Sequence, residues 1–472
     1  MHFADHINGL YTDYYELTMS QGYFLGGKQD DTAVFEYSFR DNPFGGGYVV
    51  FAGLDNLLAA LSNFTYDEAA LAFLKEQGFV DDAFLVFLRD FRFQGTIYSV
   101  AEGEVVFPLA PVLRVEGTII ECQLIETLLL NFVNFESLVA TKASRIRRVA
   151  GNRAVSDFGL RRAQGLGGLQ ASRAAVIGGV DLTSNVLAGK CFGLGVTGTQ
   201  AHSWVQSFPG ELAAFRAYAA AYPEKTVLLV DTYDTLKSGL PNAIQVGREM
   251  AEKGHTLLAI RLDSGDLAYL SKQARKMLDA AGLTETKILV SDQLDEYLIR
   301  SLNEQQAPVD GYGVGTELVT GRETAALDGV YKLAAYNGTP TLKLSNTLAK
   351  TSLPGRKQLC RYFNGEGFFY GDCVCLAGDG GCTAMNHPVE RDKSCTLAGK
   401  PSETLLQPVM EQGRPLAPPA DISRLRQYCQ KRLAQLPEEH KRFEMPHIYK
   451  VGLSPELTRL RDKMIAAARE RL

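Results

Sequence analysis

Four short apolar runs between residues 226 and 316 decide the fold. They read TVLLVDTYD (226–234), TLLAIRLDSGD (256–266), KILVSDQLD (287–295) and VDGYGVGT (309–316). Each run ends in a polar or glycine-containing turn, and the stretches between the runs have helical periodicity. Alternating strands and helices predict a parallel sheet with helices packed outside it.

The same pattern extends towards the N-terminus of the chain. Earlier runs read AVSDFG (154–159), VIGGVDLTS (176–184) and FGLGVTGT (192–199). About seven such units in about 200 residues favour an α/β barrel, with an open doubly wound sheet as the alternative. In both architectures the carboxyl ends of the strands form the functional face.

The pattern changes on both sides of this region, which predicts further structure outside the barrel. Residues 1–136 combine helical stretches with alternating strands, and residues after 337 are turn-rich and end in charged helical segments. We therefore expect an N-terminal α+β segment at 1–136, an α/β barrel at 137–336, and a C-terminal segment at 337–472. The C-terminal segment can complete the N-terminal one and add terminal helices.

Composition restricts the class of protein. The chain has 472 residues, of which 46% are apolar and 22% are charged, so it is neither disordered nor too short for a large core. Its net charge of −5 argues against a general partner for nucleic acids or anionic membranes. The N-terminal residues lack a cationic region followed by an apolar core, so we expect no signal peptide, and no apolar stretch is long enough to predict a membrane-spanning helix. Eight cysteines are too sparse for a disulfide framework, so we expect a reducing, cytoplasmic location.

Five of the cysteines cluster between residues 360 and 395. Their closest spacing is C-x-C at Cys373 and Cys375, whereas structural zinc sites usually contain C-x₂₋₄-C. Residues 368–376 alternate partly like a strand, which would place both thiols on one face as small apolar groups. Packed thiols are therefore favoured over a zinc site.

The turns at the strand ends carry the candidate chemistry. The first contains Arg161 and Arg162, which can grip a carboxylate or phosphate or simply start a solvated helix. The segment 193–198 matches G-x-G-x-x-G, but it does not open the first strand–helix unit and lacks an acidic partner on a following strand, so dinucleotide binding is disfavoured. It leads instead to Thr199 and to His202, one of only seven histidines. A neutral imidazole can act as a base or as a nucleophile towards phosphorus, although a lone histidine is often only packed or exposed.

Later turns add a cation, carboxylates and small residues. Arg261 stands beside Asp263, Ser264 and Asp266 in RLDSGD, a group that can hold an anionic substrate while orienting ribose hydroxyls or a magnesium ion. Asp263 or Ser264 can instead, or in addition, cap the next helix. The Ser291-Asp292 pair follows one strand later. The glycine-rich turn before Thr316 lets the backbone approach a phosphate.

These motifs together closely resemble the nicotinate phosphoribosyltransferase family. The matching pieces are YTDYYELTM (11–19), NPFGGG (42–47), FGLRR (158–162), GTQAH (198–202), RLDSGD (261–266) and GVGT (313–316). They run in the family order over about three quarters of the chain, and as a set they are far more specific than any single piece. The cysteine cluster is not a family signature.

The resemblance implies an irregular α/β barrel of the type II phosphoribosyltransferase kind, with a second α+β domain built from both termini. It implies formation of nicotinate mononucleotide and pyrophosphate from nicotinate and 5-phosphoribosyl 1-pyrophosphate, as the first step of NAD salvage, coupled to ATP hydrolysis with Mg²⁺ accompanying the phosphorylated substrates. It implies a phosphorylated His202 as the catalytic residue. It also implies that substrate is bound by Tyr15, Arg161, Thr199, Arg261 and Thr316.

Other functions remain open on the residues alone. A nicotinamide phosphoribosyltransferase would use a neutral ring amide, a barrel aldolase or isomerase would need a Schiff-base lysine or a poised acid–base pair, and a nucleotide sensor would bind without turnover. The strand-end turns show no obvious lysine. Because Tyr15 is far from the barrel in sequence, a site assembled between subunits, and hence a homodimer, is a further expectation.

Overall fold

The computed structural model of the chain describes residues 7–78, 81–345, 351–379, 381–390 and 392–470. These residues form two compact units. Unit 2 comprises Lys142–Arg322, and unit 1 comprises the described residues before and after it.

The elements are numbered in chain order. The helices are α1 (Tyr14–Leu25), α2 (Leu54–Ser62), α3 (Glu68–Glu76), α4 (Asp82–Asp90), α5 (Ile119–Leu124), α6 (Glu126–Ala150), α7 (Gly167–Ile177), α8 (Val186–Phe192), α9 (His202–Gln206), α10 (Glu211–Ala221), α11 (Leu240–Glu252), α12 (Leu267–Ala280), α13 (Glu296–Glu304), α14 (Thr316–Val319), α15 (Ile422–Gln435) and α16 (Pro455–Arg469). The strands are β1 (Thr32–Phe39), β2 (Val49–Val50), β3 (Thr96–Ser99), β4 (Val105–Val106), β5 (Leu113–Thr118), β6 (Ala154–Asp157), β7 (Leu182–Thr183), β8 (Val227–Leu229), β9 (Ala259–Leu262), β10 (Lys287–Val290), β11 (Gly311–Val314), β12 (Gly329–Tyr336), β13 (Thr339–Pro340), β14 (Lys357–Phe363), β15 (Phe369–Leu376), β16 (Ala384–Asn386), β17 (Ser394–Thr396), β18 (Ser402–Thr404), β19 (Gln407–Glu411), β20 (Arg414–Pro415) and β21 (Val451–Leu453).

Unit 2 is built around one parallel sheet. Its strand order is β7-β6-β11-β10-β9-β8, and every pairing is parallel. A further parallel bridge joins Thr183 of β7 to Val196. The strands therefore follow one another round a ring in chain order, with β11 returning to pair with β6, as in an irregular α/β barrel. In the described part of unit 2 no pairing joins the segment at Val196 to β8, so the ring is incomplete there.

Local sequence explains why helices begin directly after the strand ends. The strand interiors are aliphatic, and Ile260, Ile288 and Val314 are completely buried. After β8, β9 and β10 an aspartate accepts a backbone hydrogen bond and caps the next helical segment; these residues are Asp234, Asp266 and Asp295. Asp266 accepts from the Tyr269 amide at the start of α12. This corrects the sequence prediction that Asp263 or Ser264 would be the cap, and it leaves both side chains available to the strand-end surface.

Unit 1 combines the two ends of the chain in two sheets. A seven-stranded sheet has the order β13-β12-β1-β5-β3-β19-β20, and a six-stranded sheet has the order β17-β16-β21-β15-β14-β18. A two-stranded sheet joins β2 to β4. In the seven-stranded sheet, three strands from before the barrel thus lie between two pairs of strands from after it.

The boundaries between the units fall after Thr141 and Arg322, whereas the sequence predicts them after residues 136 and 336. The difference has a physical cause at each end. The Thr141 hydroxyl accepts a hydrogen bond from the Val50 amide at 2.9 Å, which ties this turn of α6 to unit 1. Strand β12 pairs with β1 along its whole length, from Gly329↔Phe39 to Tyr336↔Ala33, so residues before 336 already belong to the unit 1 sheet.

Candidate active site

Arg261 is the centre of a hydrogen-bonded cluster at the carboxyl ends of the parallel strands. Its Nε donates to Ser291 Oγ at 2.9 Å, its Nη1 donates to Thr199 Oγ1 at 2.8 Å, and its Nη2 lies 2.8 Å from Asp263 Oδ1. The guanidinium carbon lies 5.7 Å from the centre of the Phe158 ring. Three partners from three segments therefore hold the planar cation in one orientation. The structure brings together Arg261 and Thr199, two of the residues that the resemblance implies.

His202 lies beside this cluster as the first residue of α9. Its Nδ1 is 3.2 Å from Thr232 Oγ1, and its Nε2 is 3.8 Å from Asp263 Oδ2. The His202 side chain is 42% exposed, so a ligand has access to the imidazole. Asp263 thus faces both Arg261 and His202 and connects the two predicted residues.

Two carboxylates of this surface are held by neighbouring strand ends. Asp231 Oδ2 accepts from the Asp263 amide at 2.9 Å and from Ser264 Oγ at 2.6 Å. Burial tends to raise the pKa of Asp263, but the hydrogen bonds from Arg261 and Ser291 and the positive charge of Arg261 hold that pKa below its ordinary range. Asp263 is therefore a persistent anion that offsets the charge of Arg261.

Asp292 is a third carboxylate at the same surface. Burial raises its pKa, and the negative charges of Asp263 and Asp231 add to this effect. Asp292 has φ of 100° and Gln293 has φ of 38°, in the region that favours glycine. Backbone strain of this kind is often found at functional sites, because the surrounding structure must enforce it.

Arg161 lies in the turn between β6 and α7, where it is exposed. A buried network fixes the start of this turn. Asp157 is completely buried and accepts from the Gly159 amide at 2.8 Å, from Ser172 Oγ at 2.8 Å and from Thr183 Oγ1 at 2.7 Å. Because Asp157 immediately precedes the FGLRR motif, it sets the path by which the chain reaches Arg161.

Thr316 is the first residue of α14, directly after β11. Strand β11 pairs with β6 and β10, so Thr316, Arg161 and Ser291 follow three neighbouring strand ends. Gly313, near the end of β11, is required for packing. A Cβ on Gly313 would lie 2.5 Å from the Phe158 ring.

Tyr15 belongs to α1 in unit 1 and is 45% exposed. Burial raises its pKa, and the negative charges of Glu126 and Glu16 raise it further, so its hydroxyl is neutral over the physiological range. Tyr15 is thus available as an uncharged aromatic surface.

Two other sequence interpretations have structural outcomes. Gly193 of the G-x-G-x-x-G match is the left-handed C-cap of α8, so the match is explained by a helix end and a turn.

The predicted packing of thiols on one face of a strand is confirmed. Cys373 and Cys375 lie in β15 and are fully buried in an apolar cluster with Cys360, whose Sγ is 3.9 Å from that of Cys375. All eight cysteines are free thiols.

Thr232, and the partners of Ser291, would have been hard to recognise from sequence, although the sequence places Ser291 itself directly after a strand. Thr232 contacts His202, and Ser291 joins Arg261 to Asp263 through a short hydrogen bond between Ser291 Oγ and Asp263 Oδ1. A single hydroxyl after an apolar run is a weak signal. Its partner depends on which strands are neighbours and on their register.

A search for membrane-spanning segments was negative for the described residues. None of the helices they form combines the length and apolar character needed to cross a bilayer.

The incomplete parallel barrel, with charged and polar side chains at its strand ends and a unit built from both termini, defines a type II phosphoribosyltransferase fold. Solved structures agree with this class. The human nicotinic acid phosphoribosyltransferase superposes with a TM-score of 0.87 at 34% identity, covering 96% of this chain and 99% of that one. A nicotinate-nucleotide pyrophosphorylase from Pyrococcus furiosus shares the fold, with a TM-score of 0.72 at 23% identity.

Sequence comparison identifies the family. Three models match in order: the nicotinate phosphoribosyltransferase N-terminal domain at residues 10–134, the nicotinate phosphoribosyltransferase family at 153–367, and the C-terminal domain at 356–461. The Bacillus subtilis nicotinate phosphoribosyltransferase is 41% identical over 464 residues, covering 96% of this chain and 94% of the relative. The chain belongs to the nicotinate phosphoribosyltransferase family.

Proposed function

We propose that the protein transfers the phosphoribosyl group of 5-phosphoribosyl 1-pyrophosphate to the ring nitrogen of nicotinate. The nitrogen lone pair forms a bond to the ribose C1 carbon while the bond from C1 to the pyrophosphate oxygen breaks. The products are nicotinate mononucleotide and pyrophosphate, as the first step of NAD salvage. Because the ring nitrogen is already a nucleophile, the reaction needs no strong base, and catalysis depends on position and charge.

The observation that carries this proposal is the fixed Arg261 guanidinium. Its contacts with Thr199, Ser291 and Asp263 leave a planar donor pre-oriented at the strand ends, and planar cations bind carboxylates in two-point contacts. In the proposal Arg261 and Thr199 bind the nicotinate carboxylate. Membership of the family supports this assignment.

The remaining predicted residues have proposed roles around the same reaction. Tyr15 stacks on the pyridine ring, as an uncharged aromatic ring can do. Thr316 contacts the phosphoribosyl pyrophosphate, and Arg161 neutralises part of the substrate charge. The homodimer remains a proposal, and full activity of a monomer at nanomolar dilution would contradict it.

We further propose that ATP hydrolysis is coupled through His202. The imidazole attacks the γ-phosphorus of ATP, ADP leaves, and water later hydrolyses the phosphohistidine. Phosphorylation can help the transfer only if the phosphorylated protein binds the substrates or transition state more tightly than the free protein does. The exposure of His202 and its position beside Asp263 support this role.

We propose that Mg²⁺ binds to the protein together with phosphoribosyl pyrophosphate and ATP, as their metal complexes. Within the described ranges no group of three or more His, Cys, Asp and Glu side chains is arranged to hold a metal ion. No step is therefore assigned to a metal held by protein side chains. The ion would supply charge neutralisation on the pyrophosphate and on ATP.

The test is a direct assay of product formation. Purified protein is incubated with phosphoribosyl pyrophosphate, Mg²⁺ and nicotinate, nicotinamide or quinolinate, each with and without ATP. We expect nicotinate mononucleotide to form, with a higher rate when ATP is present and with stoichiometric ADP. Preference for nicotinamide or quinolinate, or binding of nicotinate without any mononucleotide, would contradict the proposal.

A further inference from the structure

We infer that Ser291 is a positioning residue for nicotinate recognition, because its hydroxyl locks Arg261 and Asp263 into one geometry. This inference rests on the proposed function and extends it to a side chain for which the resemblance implies no role. The structural evidence has three parts: the fixed position of Ser291, the two bonds of its hydroxyl, and the side chains that depend on them.

The backbone holds Ser291 firmly in place. It follows β10 directly, its amide donates to the Leu262 carbonyl of β9 at 2.9 Å, and only 4% of the residue is exposed. The next two residues, Asp292 and Gln293, both have positive φ, so the chain turns away immediately after Ser291. Leu262 lies between Arg261 and Asp263, and the serine is therefore anchored to the same short segment that its side chain contacts.

The hydroxyl uses both of its hydrogen-bonding functions. It accepts from Arg261 Nε at 2.9 Å and donates to Asp263 Oδ1 through a short hydrogen bond. Arg261 Nη2 reaches the same carboxylate oxygen at 2.8 Å. Serine, arginine and aspartate thus form a closed triangle, in which each side chain limits the rotation of the other two.

Two further contacts depend on this triangle. Arg261 Nη1 is aligned with Thr199 Oγ1 at 2.8 Å, and Asp263 Oδ2 is directed at His202 Nε2 at 3.8 Å. Without the hydroxyl, Arg261 Nε loses its acceptor, and the guanidinium can turn towards the Asp263 carboxylate. The side of the cation that the proposal assigns to nicotinate would then lose its fixed orientation.

The experiment compares Ser291→Ala, Ser291→Thr and a matched control. Ser271→Ala removes a buried serine hydroxyl of unit 2 that donates to Ala268 O in its own helix at 3.1 Å. For each variant, kcat and KM are measured for nicotinate and for phosphoribosyl pyrophosphate. Nicotinate and nicotinamide binding are measured by calorimetry, so that the result does not depend on turnover.

We expect Ser291→Ala to raise KM and Kd for nicotinate about 10-fold, as for loss of one hydrogen bond to a charged group. The KM for phosphoribosyl pyrophosphate should stay within about twofold, and discrimination against nicotinamide should shrink. Ser291→Thr, which keeps the hydroxyl, should restore most of the affinity, and Ser271→Ala should behave like the wild type.

An unchanged nicotinate affinity in Ser291→Ala would overturn the inference. So would equal losses for both substrates, which would indicate general destabilisation. If the wild type binds nicotinate but does not turn it over, the proposed reaction fails while the calorimetric test of Ser291 still stands. If it neither binds nor converts nicotinate, both proposals fall.

Discussion

At the scale of single residues, His202 has both ring nitrogens directed at oxygen atoms. Thr232 Oγ1 lies 3.2 Å from Nδ1, and Asp263 Oδ2 lies 3.8 Å from Nε2. A hydroxyl can donate to or accept from a ring nitrogen, whereas the Asp263 carboxylate only accepts and favours a proton on Nε2. Attack on phosphorus through Nε2 therefore requires the other tautomer, in which the proton lies on Nδ1 and is donated to the Thr232 hydroxyl.

His202→Ala should abolish ATP stimulation and label transfer from the γ-phosphate of ATP to the protein, while leaving slow transferase activity. The physical reason is that, in the proposed reaction, the transfer itself depends on Arg261 and the other binding groups rather than on the imidazole. The measurement is the ratio of mononucleotide formation with and without ATP. His255→Ala is the control, since that histidine is paired with Glu224 at 2.8 Å before β9 begins. Full coupling in His202→Ala would refute the assignment.

Glu16 is a buried acid next to the predicted nicotinate contact Tyr15. It is completely inaccessible, and its oxygens accept from Thr12 Oγ1 at 2.9 Å and from Thr127 Oγ1 at 2.6 Å. Burial raises its pKa from the ordinary value of 4.5 to about 7, the nearby Glu126 carboxyl adds to the rise, and the two threonine hydrogen bonds oppose it. The folded protein therefore keeps a proton that the unfolded chain has already lost.

This proton makes stability depend on pH in a known direction. Between about pH 4.5 and pH 7 the folded state binds more protons at Glu16 than the unfolded state does, so this group's contribution falls as pH rises through that window. Glu16→Gln should reduce the slope of the free energy of unfolding against pH in this window, by at most about 1.4 kcal/mol per pH unit. Urea unfolding at several pH values measures it, with the exposed Glu76→Gln as control. Identical pH profiles for Glu16→Gln and wild type would disprove the assignment.

At the scale of elements, the end of β11 and the turn after β6 pack so closely that they require glycine. Gly313 approaches Phe158, and an added Cβ would lie 2.5 Å from its ring and 3.2 Å from Ser291 Cβ. The Phe158 ring in turn lies under Arg261, 5.7 Å from its guanidinium carbon. The small residue of one strand thus determines where the cation of another strand sits.

Gly313→Ala should therefore weaken nicotinate binding and destabilise the fold, by about 1–3 kcal/mol for an overpacked core position. The nicotinate KM and the urea midpoint are the measurements. Gly365→Ala is the control, because its Cβ would meet nothing within 4 Å and its φ is not in the left-handed region. If Gly313→Ala has the wild-type KM for nicotinate and the wild-type urea midpoint, the Phe158 ring can move aside without a loss of stability, and the prediction is wrong.

The existence of these elements could be predicted from sequence, because aliphatic runs followed by helical periodicity are local signals. The same local signals single out Thr199, His202, Arg261 and Thr316 near strand ends, and their roles remain predictions. The pairing of Ser291 with Arg261 and Asp263 could not be predicted from the sequence, because it depends on the register of β9 against β10. The helix cap at Asp266 was misassigned for a related reason, since Asp263, Ser264 and Asp266 all carry an oxygen that could accept a backbone hydrogen bond at the start of α12.

At the scale of the whole molecule, the chain leaves unit 1, forms the barrel and returns to unit 1. Local patterns predicted a change of structure on both sides of the barrel but not the residues that join the two halves. The join is made by side chains hundreds of positions apart in sequence. Phe35 of β1 and Tyr331 of β12, for example, stack with ring centres 4.8 Å apart. Contacts of this range cannot be read from periodicity, and this is why the predicted boundary after residue 336 lies inside the unit 1 sheet.

A buried ionic network also connects the residues of unit 1 that precede the barrel with those that follow it. Arg361 of β14 is completely buried and lies 2.6 Å from Glu104 Oε1 and 2.8 Å from Asp372 Oδ2, while Arg432 of α15 reaches the same Glu104 oxygen at 2.8 Å. The Phe369 ring covers the Arg361 guanidinium, with 4.1 Å between ring centre and central carbon. Burial would raise the pKa of Glu104, but the two arginines hold it below its ordinary value, so the network remains charged.

Breaking this network should be far more costly than its net contribution suggests, because a buried charge left without its partner keeps its full desolvation cost. Arg361→Met approximately preserves the volume of the side chain but removes both guanidinium hydrogen bonds to Asp372, although the bond from the Tyr449 hydroxyl remains, and we expect a loss of about 3–5 kcal/mol in unfolding free energy. Arg459→Met removes an exposed pair with Glu456 and should cost less than about 1 kcal/mol. Urea unfolding compares the two variants. Equal midpoints would mean that Glu104 and Asp372 take up protons or water instead, and that the two ends of the chain are held together by the sheets alone.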